Sequence, residues 1–123
     1  MKRILVVDDS SATRALLAAS LSNDAEMEIT GVSSGLEALK QLRAAPVDLV
    51  LTDVHMPEIG GLELLRFIKA DASLSHIPVI VISTEPLDEQ TRGRLSLAPD
   101  DYLAKPFTTD QLRHIINKRL GRK

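Results

Sequence analysis

The 123-residue chain has no cysteine and no tryptophan. The absence of cysteine excludes a disulfide framework, thiolate metal sites and thiol catalysis, and is consistent with a cytoplasmic location. One Tyr and two Phe make the chain poor in rings for stacking a flavin. No apolar run approaches membrane-spanning length. The run Ile4–Val7 is short and stops at two aspartates, which is wrong for a secretory signal. Neither charge sign is in large excess: 15 Lys and Arg stand against 17 Asp and Glu, a formal net charge of −2. No bulk attraction to nucleic acid or to an anionic membrane is therefore expected. The closing basic cluster Lys118, Arg119, Arg122 and Lys123 reads as cations complementing a C-terminal helix dipole. Low-complexity segments, internal repeats and linkers are also missing. The length then suits one domain, 1–123, with no effector domain.

What is present is an alternation of β-branched apolar clusters with segments of helical period. Strands are predicted at Arg3–Val7, Met27–Val32, Asp48–Thr52, Pro78–Ile82 and Tyr102–Ala104. Helices are predicted at Ser11–Leu21, Ser34–Ala44, Gly61–Ala70, Asp88–Leu97 and Thr109–Leu120. Ser34-x-x-Glu37 and Thr108-x-x-Gln111 read as capping boxes. Leu62, Leu65 and Ile68 are expected to face inward from the third helix, and Gly93 weakens the fourth. Leu112, Ile115, Ile116 and Leu120 form one stripe on the last. Continuous apolar strands imply a sheet covered on both faces. Strand–helix alternation then gives an α/β, doubly wound parallel sheet of five strands.

In such sheets ligands bind outside the carboxyl ends of the strands, where strand order reverses. That rule selects residues before any motif is consulted. The first strand runs into Asp8-Asp9, the third into Asp53, the fourth into Ser83-Thr84 and the fifth toward Lys105. Any one of these has an ordinary explanation: an Asp after a strand often forms a turn or caps a helix. Together they place carboxylates, a hydroxyl and an ammonium on one rim. Crowded carboxylates repel and are costly to desolvate without a cation. With no cysteine and no liganding histidine pair, the site suits a hard cation. Mg²⁺ takes a few carboxylates, retained waters and a phosphate oxygen.

The set Asp8-Asp9, Asp53-x-x-Met56-Pro57, Ser83 and Lys105-Pro106 resembles the response-regulator receiver domains, the CheY-like family, over nearly the whole chain. The resemblance implies the flavodoxin-like strand order 2-1-3-4-5. It implies that Asp53 accepts a phosphoryl group from a histidine kinase or a histidine phosphotransfer protein. It further implies Mg²⁺, for which Mn²⁺ can substitute, held by Asp9, Asp53, the backbone carbonyl of His55 and, through water, Asp8. Lys105 and Ser83 would contact the phosphoryl group. Pro106 would follow a cis bond, and Pro57, Gly60 and Gly61 would form the loop that starts the third helix. Ser83 and Tyr102 would carry the switch to the face made by the fourth helix, fifth strand and fifth helix, where a downstream protein docks, in motility control or another relay. Neither nucleic acid nor membrane is expected as a partner.

The sequence departs from the family pattern near that face. His55 stands where an amide or aliphatic residue is commoner, Thr84 where a smaller residue is usual, and Glu85 follows it. These three are candidates for tuning attack by water on the phosphoryl group. Ala98-Pro99 precedes the acidic pair Asp100-Asp101 where Gly-Ala is frequent, and Pro99 stiffens that loop. A phosphohydrolase with an aspartyl nucleophile would need a second carboxylate two residues after the first. His55 and Ser10 occupy those positions. A nucleotide or flavin carrier would need a Gly-rich phosphate loop where Asp8 and Asp9 stand.

Overall fold

A strand segment covered on both faces is expected to be apolar throughout, and the run Ile4–Val7 of the first strand is. Ile4, Leu5, Val6 and Val7 are each no more than 1% exposed. The computed structural model describes residues 2–21, 24–54, 56, 59–84, 88–94 and 102–121. Its elements run β1 (Lys2–Val7), α1 (Ser11–Leu21), β2 (Met27–Val32), α2 (Gly35–Ala44), β3 (Leu49–Asp53), α3 (Gly61–Ala70), β4 (Val79–Ser83), α4 (Glu89–Arg94), β5 (Tyr102–Ala104) and α5 (Thr109–Arg119). The strands are all parallel, in the order β2-β1-β3-β4-β5. This is the expected doubly wound sheet.

Alternate residues of the central strands enter two separate cores. Ile4, Val6, Leu49, Leu51, Ile80 and Ile82 pack with Leu17 and Leu21 of α1 and Leu112, Ile115 and Ile116 of α5. Leu5, Val7, Val50, Val79 and Val81 pack with Ala38, Leu39 and Leu42 of α2 and Leu64, Leu65 and Ile68 of α3. On α3 Leu65 and Ile68 are buried as expected, and Leu64 is fully buried beside them. Leu62 only packs partly against that core, so Leu64 takes the inward place expected of Leu62. Among the described residues no helix is long and apolar enough to cross a membrane.

Several boundaries differ from the sequence reading for identifiable reasons. Asp48 lies before β3 because its side chain joins the pairing: Oδ2 accepts from Arg3 N at 2.8 Å, and its own N–H donates to the Arg3 carbonyl at 2.8 Å. Pro78 has no N–H and contributes only a carbonyl, which Val50 N reaches at 3.0 Å. Thr108 and Gln111 form the full capping box of α5. On α2 only half of the expected box forms. Ser34 Oγ accepts from Glu37 N at 3.2 Å, but the Glu37 carboxylate turns to Ser33, accepting from its N at 3.3 Å and its Oγ at 3.2 Å. The expected end of the fourth helix at Leu97, and Pro99, Asp100, Asp101, Arg122 and Lys123, lie outside the described residues.

Gly61 opens α3 directly against the end of β3. A Cβ there would overlap the Asp53 carbonyl oxygen and stand 2.8 Å from the Asp53 carbonyl carbon. Both obstacles are backbone and cannot turn aside. Gly93 on α4 is the opposite case, with nothing within 4 Å of an added Cβ. Gly61→Ala is therefore expected to destabilise the protein by about 1–3 kcal/mol through overpacking. Gly93→Ala should stabilise it by about 0.5–1 kcal/mol through helix propensity. Urea unfolding of the two variants checks this, and equal effects of the same sign would contradict it.

Candidate phosphoryl-transfer site

Strand order reverses between β1 and β3, because β2 lies on one side of β1 and β3 on the other. The residues that close this crevice are Asp8, which follows β1, and Asp53, which ends β3. The β3–α3 junction fixes Asp53: its carbonyl lies under Gly61 and accepts from Thr52 Oγ1 at 3.1 Å. Lys105 arrives from the end of β5, where its N–H donates to the Ser83 carbonyl at 2.8 Å. The Lys105–Pro106 bond is cis, as the resemblance implied.

The Lys105 ammonium lies between the two carboxylates. Its Nζ is 3.2 Å from Asp53 Oδ2 and 3.9 Å from Asp8 Oδ2. The Asp53 and Lys105 side chains are 15% and 22% exposed, so both are reachable from solvent. Asp8 is buried, at 3%. Burial is the main cause that pushes the Asp8 carboxyl above its usual range, and the neighbouring Asp53 and Asp9 add to it. The Ser10 N–H, which donates to Asp8 Oδ1 at 2.9 Å, and Lys105 act in the opposite direction.

The expected residues are thus brought together unequally. Asp8, Asp53 and Lys105 meet. Asp9 is exposed at the rim and close enough to act on Asp8 electrostatically. Among the described residues no three His, Cys, Asp or Glu side chains are gathered tightly enough to hold a metal by themselves. The expected crowding of three carboxylates is in fact a close pair around a lysine with a third at the edge. Ser83 ends β4 and is buried at 1% exposure. Thr84 is exposed beyond it and shares a cavity of about 560 Å³ with Thr13, Leu16, Lys105, Pro106 and Phe107. Tyr102 begins β5, half-buried, in register with Val81. His55, Pro57 and Glu85 lie outside the described residues.

Sequence reasoning missed Arg14. Its Nη1 donates to the Asp8 carbonyl at 2.6 Å. A separation of six residues is not a helical-face spacing, and no local pattern marks the contact.

Comparison with known proteins shows the family. The family described as "Response regulator receiver domain" matches residues 4–117. The chain is 33% identical to the chemotaxis protein CheY1 of Helicobacter pylori over 120 residues, 97% of each chain. It is 35% identical to the two-component response regulator ORR11 of Oryza sativa over 118 residues, covering 95% of this chain and 80% of the relative. Among solved structures it is similar to chemotaxis protein CheY4 of Vibrio cholerae, with a TM-score of 0.86, 26% identity and coverage of 96% and 98%. It is also similar to the receiver domain of sensor histidine kinase PA1611 of Pseudomonas aeruginosa, with a TM-score of 0.84, 27% identity and coverage of 98% of each. That structure has a magnesium ion coordinated in its active-site cleft. With the family match over residues 4–117, relatives of 33–35% identity covered over nearly their whole length or most of it, and the strand order β2-β1-β3-β4-β5, the chain belongs to the response regulator receiver domains, the phospho-accepting switches of two-component signalling.

Proposed function

We propose that Asp53 is the phosphoacceptor and that Asp8, Asp9, Ser83 and Lys105 serve its phosphorylation. The observation that carries this is the Lys105 ammonium 3.2 Å from Asp53 Oδ2, with the buried Asp8 carboxyl beside it at the switch point of the sheet. A carboxylate oxygen of Asp53 attacks the phosphorus of a donor phosphohistidine or a small acyl phosphate. The new O–P bond gives an aspartyl phosphate, and the donor's P–N or P–O bond breaks with its electron pair leaving on the donor. Such transfer asks the protein mainly for position and neutralised charge. Lys105 supplies one positive charge at the acceptor. The Ser83 hydroxyl donates to a phosphoryl oxygen once it has arrived.

The donor set fits Mg²⁺, because the acidic rim offers only hard oxygen ligands and a buried carboxyl whose charge is poorly compensated. Mg²⁺ is held by one or two carboxylates plus waters and phosphate oxygens, so a tight triad is not required. Asp9, Asp53 and the His55 carbonyl would hold it, with Asp8 acting through an intervening water, and Mn²⁺ can take its place. When bound, it neutralises charge on the transferring group. The magnesium of the PA1611 receiver supports this assignment.

The donor is a histidine kinase or histidine phosphotransfer protein. The output passes through Ser83 and Tyr102 to the α4–β5–α5 face, where a downstream protein docks. A phosphate favours one conformation only by bonding it better, and Ser83 and Lys105 are the residues placed to do so. The chemotaxis relatives support motility control as the pathway. His55, Thr84 and Glu85 set the access of water and so the lifetime of the signal. The only reactions catalysed are the domain's own phosphorylation and dephosphorylation.

With acetyl phosphate and Mg²⁺ the protein is expected to gain one phosphoryl group by intact mass, and Asp53→Asn to gain none. Labelling of that variant at the wild-type level would refute the acceptor assignment. A second expectation follows from Asp8. Its carboxyl titrates above its ordinary value of 3.8 in the folded state, so folding is favoured by this group at low pH. That contribution is lost as pH rises through the folded value, leaving a cost at neutral pH. Asp8→Asn keeps an acceptor for Ser10 and removes the charge. In EDTA the variant should be more stable than wild type at pH 7, with the gain shrinking toward pH 4. Urea denaturation across that range measures it, and a variant less stable than wild type at pH 7 would contradict the electrostatic reading.

A further inference from the structure

A polar side chain in the second turn of a surface helix ordinarily turns to water. Arg14 of α1 instead folds back over the β1–α1 loop, and its guanidinium holds the Asp8 carbonyl at 2.6 Å. The same short loop is tied at further points. Asp8 N donates to the Val32 carbonyl at 3.1 Å, and Arg14 N donates to the Ser10 carbonyl at 3.0 Å. Ser10 N donates to Asp8 Oδ1 at 2.9 Å. The Asp8 carbonyl belongs to the rigid planar peptide that joins Asp8 to Asp9. Gripping that oxygen fixes the plane from which both acidic side chains spring. Because the acceptor is a neutral carbonyl, the grip consumes no carboxylate oxygen.

The path of Arg14 depends on Gly31. This residue lies within β2, paired with Val6, where glycine weakens a strand and often marks close approach of another group. A Cβ on Gly31 would stand 3.3 Å from Arg14 Cδ and 3.7 Å from Arg14 Nε. The bare backbone of β2 therefore forms the track along which the arginine stem reaches Asp8. A Cβ at position 31 would ask the stem to give by a few tenths of an ångström, and the branched side chain of valine would ask for more.

We propose that Arg14 is a positioning residue for the metal-binding aspartates, acting through the Asp8 carbonyl, and that Gly31 provides the space it needs. The proposal rests on the reading of Asp8 and Asp9 as Mg²⁺ ligands. Partners that orient metal ligands are typically worth about 10–100-fold in metal affinity. The role here is expected at the low end, since Arg14 grips backbone.

The test uses the full chain with Arg14→Ala, Arg14→Lys and Gly31→Val. Mg²⁺ affinity is measured calorimetrically, Tm in EDTA, and hydrogen exchange at the Ser10 amide in EDTA. Arg14→Ala and Gly31→Val should each weaken Mg²⁺ binding about tenfold and speed Ser10 exchange, and Arg14→Lys should recover part of the affinity. Gly31→Val should keep or raise the metal-free Tm, because valine favours strands. Loss of affinity without loss of stability is what a merely structural role cannot produce. Wild-type affinity in Gly31→Val overturns the proposal, whether or not Arg14→Ala folds. Affinity that falls only in step with Tm also overturns it. Absence of Mg²⁺ binding in the wild type would instead refute the metal reading, and Ser10 exchange would still decide whether Arg14 holds the loop.

Discussion

One ammonium shared by two carboxylates is the interaction on which the rest of the structure depends. Lys105 Nζ lies 3.2 Å from Asp53 and 3.9 Å from Asp8. A single positive charge cannot neutralise both, and the pair is partly withdrawn from water. The residual cost is visible at Asp8, whose carboxyl holds its proton more tightly than usual because it is buried beside other acids. A site left short of positive charge is prepared to accept a cation and to react where that cation binds. The burial of Asp8 thus costs some stability at neutral pH, a cost that the proposed role of Asp53 as phosphoacceptor would explain.

The sheet makes this arrangement by topology alone. Asp8 and Asp53 are far apart in sequence, yet β1 and β3 are neighbours and both end at the same rim. Lys105 is brought from β5 by its backbone bond to Ser83. The rim is then locked from below. Gly61 lets α3 begin against the Asp53 carbonyl, and Gly31 lets Arg14 cross β2 to reach the Asp8 carbonyl. At both acidic positions the protein holds the backbone oxygen, and the side-chain carboxylates remain at the crevice.

The fold was legible because apolar strands and helical stripes are local patterns. Ile4–Val7 reads as a strand buried on both faces, and each face duly meets its own core. Asp8, Asp53 and Lys105 were legible through the rule that ligands sit at strand ends. What could not be read were features set by tertiary contact. The choice of Leu64 over Leu62 depends on how α3 is rotated against the sheet. The turn of Glu37 toward Ser33 depends on loop geometry. The grip of Arg14 on Asp8 needs the particular path of α1 over Gly31. Pattern placed three carboxylates on one rim, but that two of them share one lysine while the third stands at the edge is set by tertiary contact.

The central claim is that Asp8 is a buried acid awaiting a cation. Its most direct test is the titration of the Asp8 side-chain carboxyl by carbon-13 NMR, without metal and then with saturating Mg²⁺. The account predicts a midpoint above the ordinary value of 3.8 in the metal-free protein and a clear fall when Mg²⁺ is added. An ordinary midpoint without metal, or one that Mg²⁺ leaves unmoved, would contradict it.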